Sequence, residues 1–295
     1  MTKTIHTVLL AVLLSFTAAA QGMYQPSSDT MHPTSPRVPE YIVFAGDTIR
    51  FDTTEKYERM DRELISFTYM HSTSLLMLKR SGRYFPQLER ILREQGIPDD
   101  LKYLCVIESN LDPKALSVAG AAGLWQFMKG TAKDYGMVVT TEVDERYNIE
   151  KETVAACKYF RSAYARYHDW ATAMASYNCG MAGMSARLST QKQDSSFDLW
   201  MPEETTRYVY RILAAKMLFE NPAAFGYPSV ERYPYDPPVS YVTISGSIES
   251  LVDFAIINGV TYAELKRANL WLRSDTLANK EKNTYRIAIP RSEAR

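Results

Sequence analysis

Apolar residues recur at spacings of three and four between about residue 57 and residue 222. This is the periodicity of helices with one buried face. Residues 226–239 interrupt the pattern with four prolines and predict a linker. After them, YVTISGS predicts a strand, SIESLVDFAIINGV and TYAELKRANL predict two short helices, and TYRIAIP predicts a closing strand. The expected fold is therefore mainly α, a large helical domain followed by a small α+β (βααβ) module.

The N-terminal segment has the pattern of a secretory signal peptide. Lys3 precedes an apolar run over residues 7–20 that ends in Ala18-Ala19-Ala20. The run is shorter than the roughly 20 residues that span a membrane. We therefore expect an exported protein. Membrane association is expected only through an uncleaved signal segment, which is the alternative to cleavage.

Charge and composition exclude some classes of protein. Lys and Arg number 34, and Asp and Glu number 34, so the formal net charge is zero. A nucleic-acid-binding protein has a basic excess or a basic stripe, so nucleic acid is not an expected partner. Hydrophobic residues make up 46% of the chain and charged residues 23%, which is ordinary globular composition.

Cysteine and histidine positions indicate neither a disulfide framework nor a metal site. Cys105, Cys157 and Cys179 lie in apolar helical segments, where a free cysteine packs as a small core residue. One disulfide remains the alternative, since an exported protein can form one. No His and Cys cluster has metal-ligand spacing, so we expect no metal, and nothing indicates a cofactor.

A carboxylate interrupts an apolar helix face. Pro98 begins a helix in which Leu101, Leu104, Cys105 and Glu108 fall at i, i+3, i+4 and i+7. Glutamate is rarely buried without a reason, and burial of a carboxyl raises its pKa. A carboxyl protonated near neutral pH is what a general acid in glycoside cleavage requires. The alternative is that Glu108 lies at the edge of the stripe and reaches water or an arginine.

A glycine-rich segment follows, with the sequence SVAGAAGLWQFM over residues 117–128. Gly120 and Gly123 permit close approach of the backbone to a ligand. Trp125 and Gln126 are placed to line a groove, the ring by apolar contact and the amide by hydrogen bonds to sugar groups. A glycine-rich turn with a tryptophan is also common in protein cores, which is the alternative.

Together with WATAMASYNCG and MPEETTRYVYRILAAKMLFENPAAFGY, these segments resemble the lytic transglycosylase family, whose catalytic domain has a goose-type lysozyme fold. The resemblance covers roughly residues 80–227 and includes RSGRYFPQLERILREQGIPDDLKYLCVIES and VDERYNIEKETVAACKYF. The tail resembles a LysM peptidoglycan-binding module. With the export signal, the resemblance implies a location in the periplasm or cell envelope of a bacterium. The resemblance implies that Glu108 is the catalytic acid and base. It assigns substrate contacts to Ser117, Gln126, Tyr177, Asn178 and Tyr208.

The expected domain organisation has six parts. These are a signal peptide at 1–20, a disordered tether at 21–40, an N-terminal helical extension at 41–95, a lytic transglycosylase catalytic domain at 96–225, a Pro-rich linker at 226–239 and a LysM-like peptidoglycan-binding module at 240–295.

The resemblance implies a reaction in which one carboxyl acts twice. Protonated Glu108 donates to the glycosidic oxygen between N-acetylmuramic acid and N-acetylglucosamine, and the carboxylate then deprotonates the muramic C6 hydroxyl. The product is a 1,6-anhydro sugar, and peptidoglycan glycan strands are the expected partner. The alternatives are a lysozyme-like hydrolase and a non-catalytic cell-wall-binding protein.

Three other acidic residues near these motifs are expected to be structural. Asp112 is expected to cap the end of the helix that contains Glu108. Asp144 and Glu145 are expected to form ion pairs with Arg146.

Overall fold

The computed structural model describes residues 35–238 and 240–291. The expected signal peptide at 1–20 and residues 21–34 of the expected tether lie outside the described residues. Residues 35–40 contain no helix or strand. Within the described ranges the chain is mostly helical with a small α+β unit at its end, which confirms the expected fold class.

A β-hairpin precedes the helices, at the start of the N-terminal helical extension expected over residues 41–95. Strand β1 (Tyr41–Phe44) pairs antiparallel with β2 (Asp47–Arg50). The connecting residues Ala45 and Gly46 have positive φ angles of 53° and 95°. A two-residue turn with both φ angles positive matches the twist of a hairpin, so the backbone reverses before the first helix begins.

The helical region is arranged around one central helix. Helix α8 packs against α1, α3 and α6, and its apolar residues lie in the main core. The helices are α1 (Thr54–Tyr69), α2 (His71–Glu94), α3 (Tyr103–Ser109), α4 (Lys129–Asp134), α5 (Ile149–Tyr167), α6 (Trp170–Cys179), α7 (Met181–Gln191) and α8 (Glu203–Glu220). Contact between α3 and α8 brings residues a hundred positions apart into one site.

The C-terminal unit has the β-α-α-β order that the sequence predicts. Strand β3 (Ser240–Ile244) pairs antiparallel with β4 (Tyr285–Ile289), and helices α9 (Leu251–Ile257) and α10 (Tyr262–Ala268) lie between them in the chain. Thr261 begins α10 with a capping box, which satisfies amide groups that a helix start leaves unpaired.

The Pro-rich segment before this unit lies against helix α2. The Tyr233 amide donates to the Lys79 carbonyl at 2.8 Å, and the Lys79 ammonium donates to the Glu231 carbonyl at 3.2 Å. A Cβ added to Gly82 would lie 2.5 Å from the Tyr233 carbonyl oxygen. The absence of a side chain at Gly82 therefore allows the segment to lie directly on the helix.

In the described part of the chain, no helix has both the length and the apolar character needed to cross a membrane. The three cysteines are free thiols, with Cys105 and Cys157 buried in the core.

Candidate active site

Glu108 lies at the end of α3, where the buried stripe of that helix reaches the protein surface. Leu101, Leu104 and Cys105 are fully buried, whereas Glu108 is half-buried. The Tyr208 hydroxyl, from the facing helix α8, donates a hydrogen bond of 2.6 Å to Glu108 Oε1. The Glu108 carboxyl thus has a hydrogen-bond partner on α8 and remains partly exposed to solvent.

Burial raises the pKa of Glu108 from 4.5 to about 7. Loss of water disfavours the charged form and is the largest cause. The hydrogen bond from Tyr208 and the charge of Arg211 oppose this rise, and the charge of Glu204 adds to it. Near neutral pH the carboxyl therefore populates both its protonated and its ionised form.

Tyr208 is itself buried, with 4% of its surface exposed. Burial and the neighbouring Glu108 carboxyl raise the pKa of its phenol well above 10. Tyr208 therefore stays protonated and remains a hydrogen-bond donor to the carboxyl whenever Glu108 ionises.

Tyr177 and Asn178 end helix α6, beside the same core. The Tyr177 hydroxyl donates to the Trp125 carbonyl at 2.7 Å, and its ring stacks on Phe160 at 5.2 Å. Asn178 Oδ1 accepts a hydrogen bond of 2.8 Å from the Thr205 hydroxyl. Both side chains thus connect α6 to neighbouring elements, Tyr177 to the glycine-rich loop and α5, and Asn178 to α8.

Ser117 and Gln126 form hydrogen bonds to the backbone in and next to the glycine-rich loop, residues 117–127. Ser117 Oγ accepts from the Ala121 amide at 3.0 Å. Gln126 has a positive φ of 50°, and its side-chain amide donates to the Gly123 carbonyl at 2.8 Å and the Ala115 carbonyl at 3.2 Å. These contacts stabilise the loop in its bent shape.

Trp125 does not line a groove, so that expectation was wrong. Its side chain is fully buried, and its indole N–H donates to the Thr153 hydroxyl at 3.0 Å on helix α5. A buried tryptophan requires an acceptor for its indole N–H, and Thr153 supplies one. The ring therefore belongs to the core under the loop.

Glu152 is a buried carboxyl that the sequence analysis missed. It has no exposed surface, and its Oε2 accepts from the Trp125 amide at 3.0 Å. Its Oε1 has no hydrogen-bond partner among the described residues, and burial raises its pKa well above 4.5. Ala155, Ala156 and Tyr159 follow at i+3, i+4 and i+7, so the pattern that singled out Glu108 was also present here.

Arg146 forms hydrogen bonds that stabilise the glycine-rich loop. It forms an ion pair with Asp144, as expected, through contacts of 2.9 and 2.7 Å. Its guanidinium also donates to the carbonyls of Gly120 at 2.7 Å and Phe127 at 3.0 Å. A Cβ at Gly123 would lie 1.8 Å from the Arg146 carbonyl oxygen, so only glycine fits where the two segments meet.

Glu145 does not pair with Arg146, and that expectation was wrong. Its carboxylate lies 3.8 Å from the Lys151 ammonium instead and accepts a hydrogen bond from the Val138 amide.

Asp112 forms an ion pair with Arg80 at 3.1 Å, and its carboxylate accepts a hydrogen bond from the Lys114 amide. It thereby stabilises the turn after α3.

No group of three or more His, Cys, Asp or Glu side chains in residues 35–238 and 240–291 is arranged to hold a metal ion.

Two family models match the chain. Residues 88–199 match the transglycosylase SLT domain, and residues 240–293 match the soluble lytic transglycosylase C-terminal LysM-like domain. The chain contains an SLT domain followed by a LysM-like domain. The SLT match includes α3, the glycine-rich loop, α5 and α6, and it ends before Tyr208 on α8.

Among curated relatives, the chain is homologous to membrane-bound lytic murein transglycosylase D of Escherichia coli strain K12. The two are 27% identical over 244 residues, which cover 79% of this chain and 52% of the relative. The chain therefore spans about half the length of that relative.

Solved structures with detectable similarity include an inactive mutant of lytic transglycosylase Slt from Pseudomonas aeruginosa. It has a TM-score of 0.40 and 23% identity, covering 50% of this chain and 26% of that chain. The 70-kDa soluble lytic transglycosylase of Escherichia coli has a TM-score of 0.42 and 17% identity, covering 62% of this chain and 34% of that chain.

Proposed function

We propose that this protein is a peptidoglycan lytic transglycosylase that cleaves the β-1,4 bond between N-acetylmuramic acid and N-acetylglucosamine. The observation that supports this most strongly is the setting of Glu108, a half-buried carboxyl within the SLT-domain match that accepts a hydrogen bond from Tyr208. Burial raises the pKa of Glu108 to about 7. A carboxyl in that range can donate a proton and then accept one under the same conditions.

In the first step, protonated Glu108 donates its proton to the glycosidic oxygen, and the bond from that oxygen to the muramic C1 breaks. The N-acetylglucosamine side leaves with a hydroxyl group. Positive charge develops at C1, while Glu108 becomes a carboxylate that accepts the Tyr208 hydrogen bond. General acid catalysis of this kind contributes about 10²–10⁴-fold.

In the second step, the muramic C6 hydroxyl attacks C1, and the Glu108 carboxylate takes its proton. The carbon–oxygen bond closes a 1,6-anhydro ring, and Glu108 returns to its protonated form. No water is consumed, so one carboxyl completes both proton transfers.

The competing reaction is hydrolysis, and Glu204 is the candidate for the second carboxyl group that it requires. Most glycoside hydrolases use two carboxyl groups, one of them as nucleophile or as base for water. Glu204 is exposed in the first turn of α8, and its charge raises the pKa of Glu108. In a hydrolase on this scaffold, Glu204 would be the second carboxylate.

The remaining residues of the cleft are proposed to bind and orient the saccharide; they are Ser117, Gln126, Tyr177, Asn178 and Tyr208. The LysM-like domain is proposed to bind peptidoglycan glycan strands. Function at this polymer requires export to the periplasm or cell envelope, which we also propose.

Digestion of purified sacculi tests the reaction. Wild-type protein is expected to release muropeptides with 1,6-anhydro ends, which are lighter by one water than reducing ends and resist borohydride reduction. The Glu204→Gln variant is expected to yield the same product at a rate within about threefold of wild type, since exposed charges contribute little.

Reducing-end products whose release depends on Glu204 would establish the hydrolase. Folded wild-type protein that binds sacculi and releases nothing would establish a binding protein.

A further inference from the structure

The LysM-like domain packs directly on the SLT domain. Val143 and Tyr147 of the SLT domain are 2% and 6% exposed, and they lie in one apolar cluster with Trp271 and Leu272 of the LysM-like domain. Ala122, from the glycine-rich loop, is fully buried in the same cluster. The loop that borders the cleft thus shares a core with the C-terminal domain.

Backbone hydrogen bonds join the two domains beside this cluster. The Asp144 amide donates to the Trp271 carbonyl at 2.9 Å, and the Arg273 amide donates to the Glu142 carbonyl at 2.7 Å. The Glu142 carboxylate accepts from the Ala278 amide at 3.1 Å. Segment 142–144 therefore lies against the LysM-like domain in the manner of an added strand.

The same segment supports the loop on its other side. The Asp144 carboxylate orients Arg146 through two hydrogen bonds, and Arg146 donates to the Gly120 and Phe127 carbonyls. Arg146 is 2% exposed, so water does not replace these partners. Bidentate charge-assisted bonds in a buried place fix geometry strongly.

The loop itself has a backbone that requires such support. Gly120 and Gly123 have φ angles of 87° and 84°, and Gln126 has a φ of 50°. Glycine adopts a positive φ without strain, whereas Gln126 has a side chain and does not. Contacts within the loop and the Arg146 hydrogen bonds to the Gly120 and Phe127 carbonyls together stabilise this shape.

We propose that the docked LysM-like domain holds the glycine-rich loop, residues 117–127, in its substrate-binding shape, with Asp144 and Arg146 as positioning residues. This rests on the proposed function, in which Ser117 and Gln126 of the loop contact the saccharide. Undocking is expected to weaken substrate binding and leave the proton chemistry of Glu108 unchanged, because Glu108 bonds to Tyr208 on α8.

The full chain with the double substitution Glu142→Ala and Arg273→Ala tests the proposal. It removes one acceptor and one guanidinium that lies 4.4 Å from the centre of the Tyr147 ring. The matched control, Glu142→Gln with Arg273→Lys, keeps an acceptor and a cation at the same positions. Neither pair of substitutions replaces a residue of the loop or of the proposed saccharide-binding site.

Hydrogen exchange of single amides gives the readout. The Asp144 amide reports docking, because it donates to the Trp271 carbonyl, and the amides of Gly123 and Phe127 report the loop. In the double alanine variant all three are expected to exchange about tenfold faster or more. KM for isolated glycan strands is expected to rise severalfold, with kcat and the pH profile close to wild type, while the control stays near wild type.

Faster exchange of the Asp144 amide with unchanged exchange in the loop would overturn the proposal. If the Asp144 amide stays protected, the same measurement is made on Val143→Asp, which places a carboxylate in the shared apolar cluster. Circular dichroism verifies that this variant is folded. Exchange requires no turnover, so failure here is distinguishable from failure of the proposed transglycosylase activity.

Discussion

Two glutamates of the SLT domain, the half-buried Glu108 and the buried Glu152, differ in what surrounds them. Glu108 follows apolar residues on its helix face, and Glu152 precedes apolar residues on its own. Burial raises the pKa of both carboxyl groups. Glu108 is half-buried and accepts one hydrogen bond from the Tyr208 side chain. Glu152 has no exposed surface and accepts from the Trp125 backbone amide.

The difference shows that burial alone does not make a carboxyl a catalytic acid. A general acid must reach the substrate and must also be able to ionise during the reaction. Glu108 has an open side and a hydroxyl donor that stabilises its ionised form. Glu152 has neither, and its contacts instead support the backbone beneath the glycine-rich loop.

The largest expected effect separates the two glutamates by activity. Glu108→Gln removes the only proposed proton donor, so release of muropeptides from sacculi is expected to fall about 10³-fold. Glu152→Gln is expected to keep the rate per folded molecule within about threefold of wild type, because its carboxyl does not meet substrate. Equal losses in the two variants would contradict the comparison.

Gly123→Ala is expected to destabilise the fold by about 3 kcal/mol or more, because a Cβ there meets the Arg146 carbonyl oxygen at 1.8 Å and the φ of 84° disfavours any side chain. Gly130→Ala is the matched control, since nothing lies within 4 Å of an added Cβ in helix α4. Urea unfolding of both variants gives the free energies of unfolding. Equal free energies for the two variants would contradict the prediction, because they would show that the loop rearranges around the new side chain at little cost.

Glu152→Gln is expected to lower the free energy of unfolding by about 1–3 kcal/mol. The new amide keeps an acceptor for the Trp125 N–H, but its NH₂ group enters a place where Oε1 has no partner among the described residues. Thermal unfolding measures the loss, with Glu150→Gln on the exposed side of the same helix as control. An unchanged melting temperature would mean that Glu152 has a partner or space to rearrange.

Tyr208→Phe is expected to shift the pH profile upward by about one pH unit. The Tyr208 hydrogen bond favours the ionised form of Glu108, so its loss raises the pKa of the carboxyl further. The acid step requires protonated Glu108, so kcat/KM falls as pH rises through about 7 in wild type. In the variant this fall is expected at higher pH; a downward shift would contradict the role of Tyr208.

The smallest expected effect concerns stability. The folded pKa of Glu108 lies above its unfolded value of 4.5, so its stabilising contribution is present below pH 4.5 and is lost as pH rises through about 7. Glutamine does not titrate, so Glu108→Gln is expected to melt about 2–4 °C above wild type at pH 8. Melting curves at pH 4 and pH 8 check this; a difference independent of pH would contradict it.

Local sequence patterns predicted the helices, the β-α-α-β tail and the position of Glu108 on an apolar stripe. These features depend on periodicity and on turn residues near each other in the chain. The same stripe rule applied to Glu152, yet the sequence offers no sign of whether a buried carboxyl meets a cleft or a backbone amide.

Features that depend on distant contacts were missed or misassigned. Ala45 has a positive φ in the hairpin turn, although alanine does not signal that conformation. Trp125 was assigned to a groove because glycines flank it, but its indole acceptor, Thr153, lies on another helix. Docking of the LysM-like domain on segment 142–144 joins residues more than 120 positions apart, and no local pattern indicates it.

The central claim is that a substantial fraction of Glu108 is protonated near neutral pH, as an acid must be before the first step. Carbon-13 NMR titration of the glutamate side-chain carboxyls, with Glu108→Gln to assign the signal, measures this directly. The account predicts a Glu108 midpoint near pH 7. A midpoint near the ordinary value of 4.5 would contradict it.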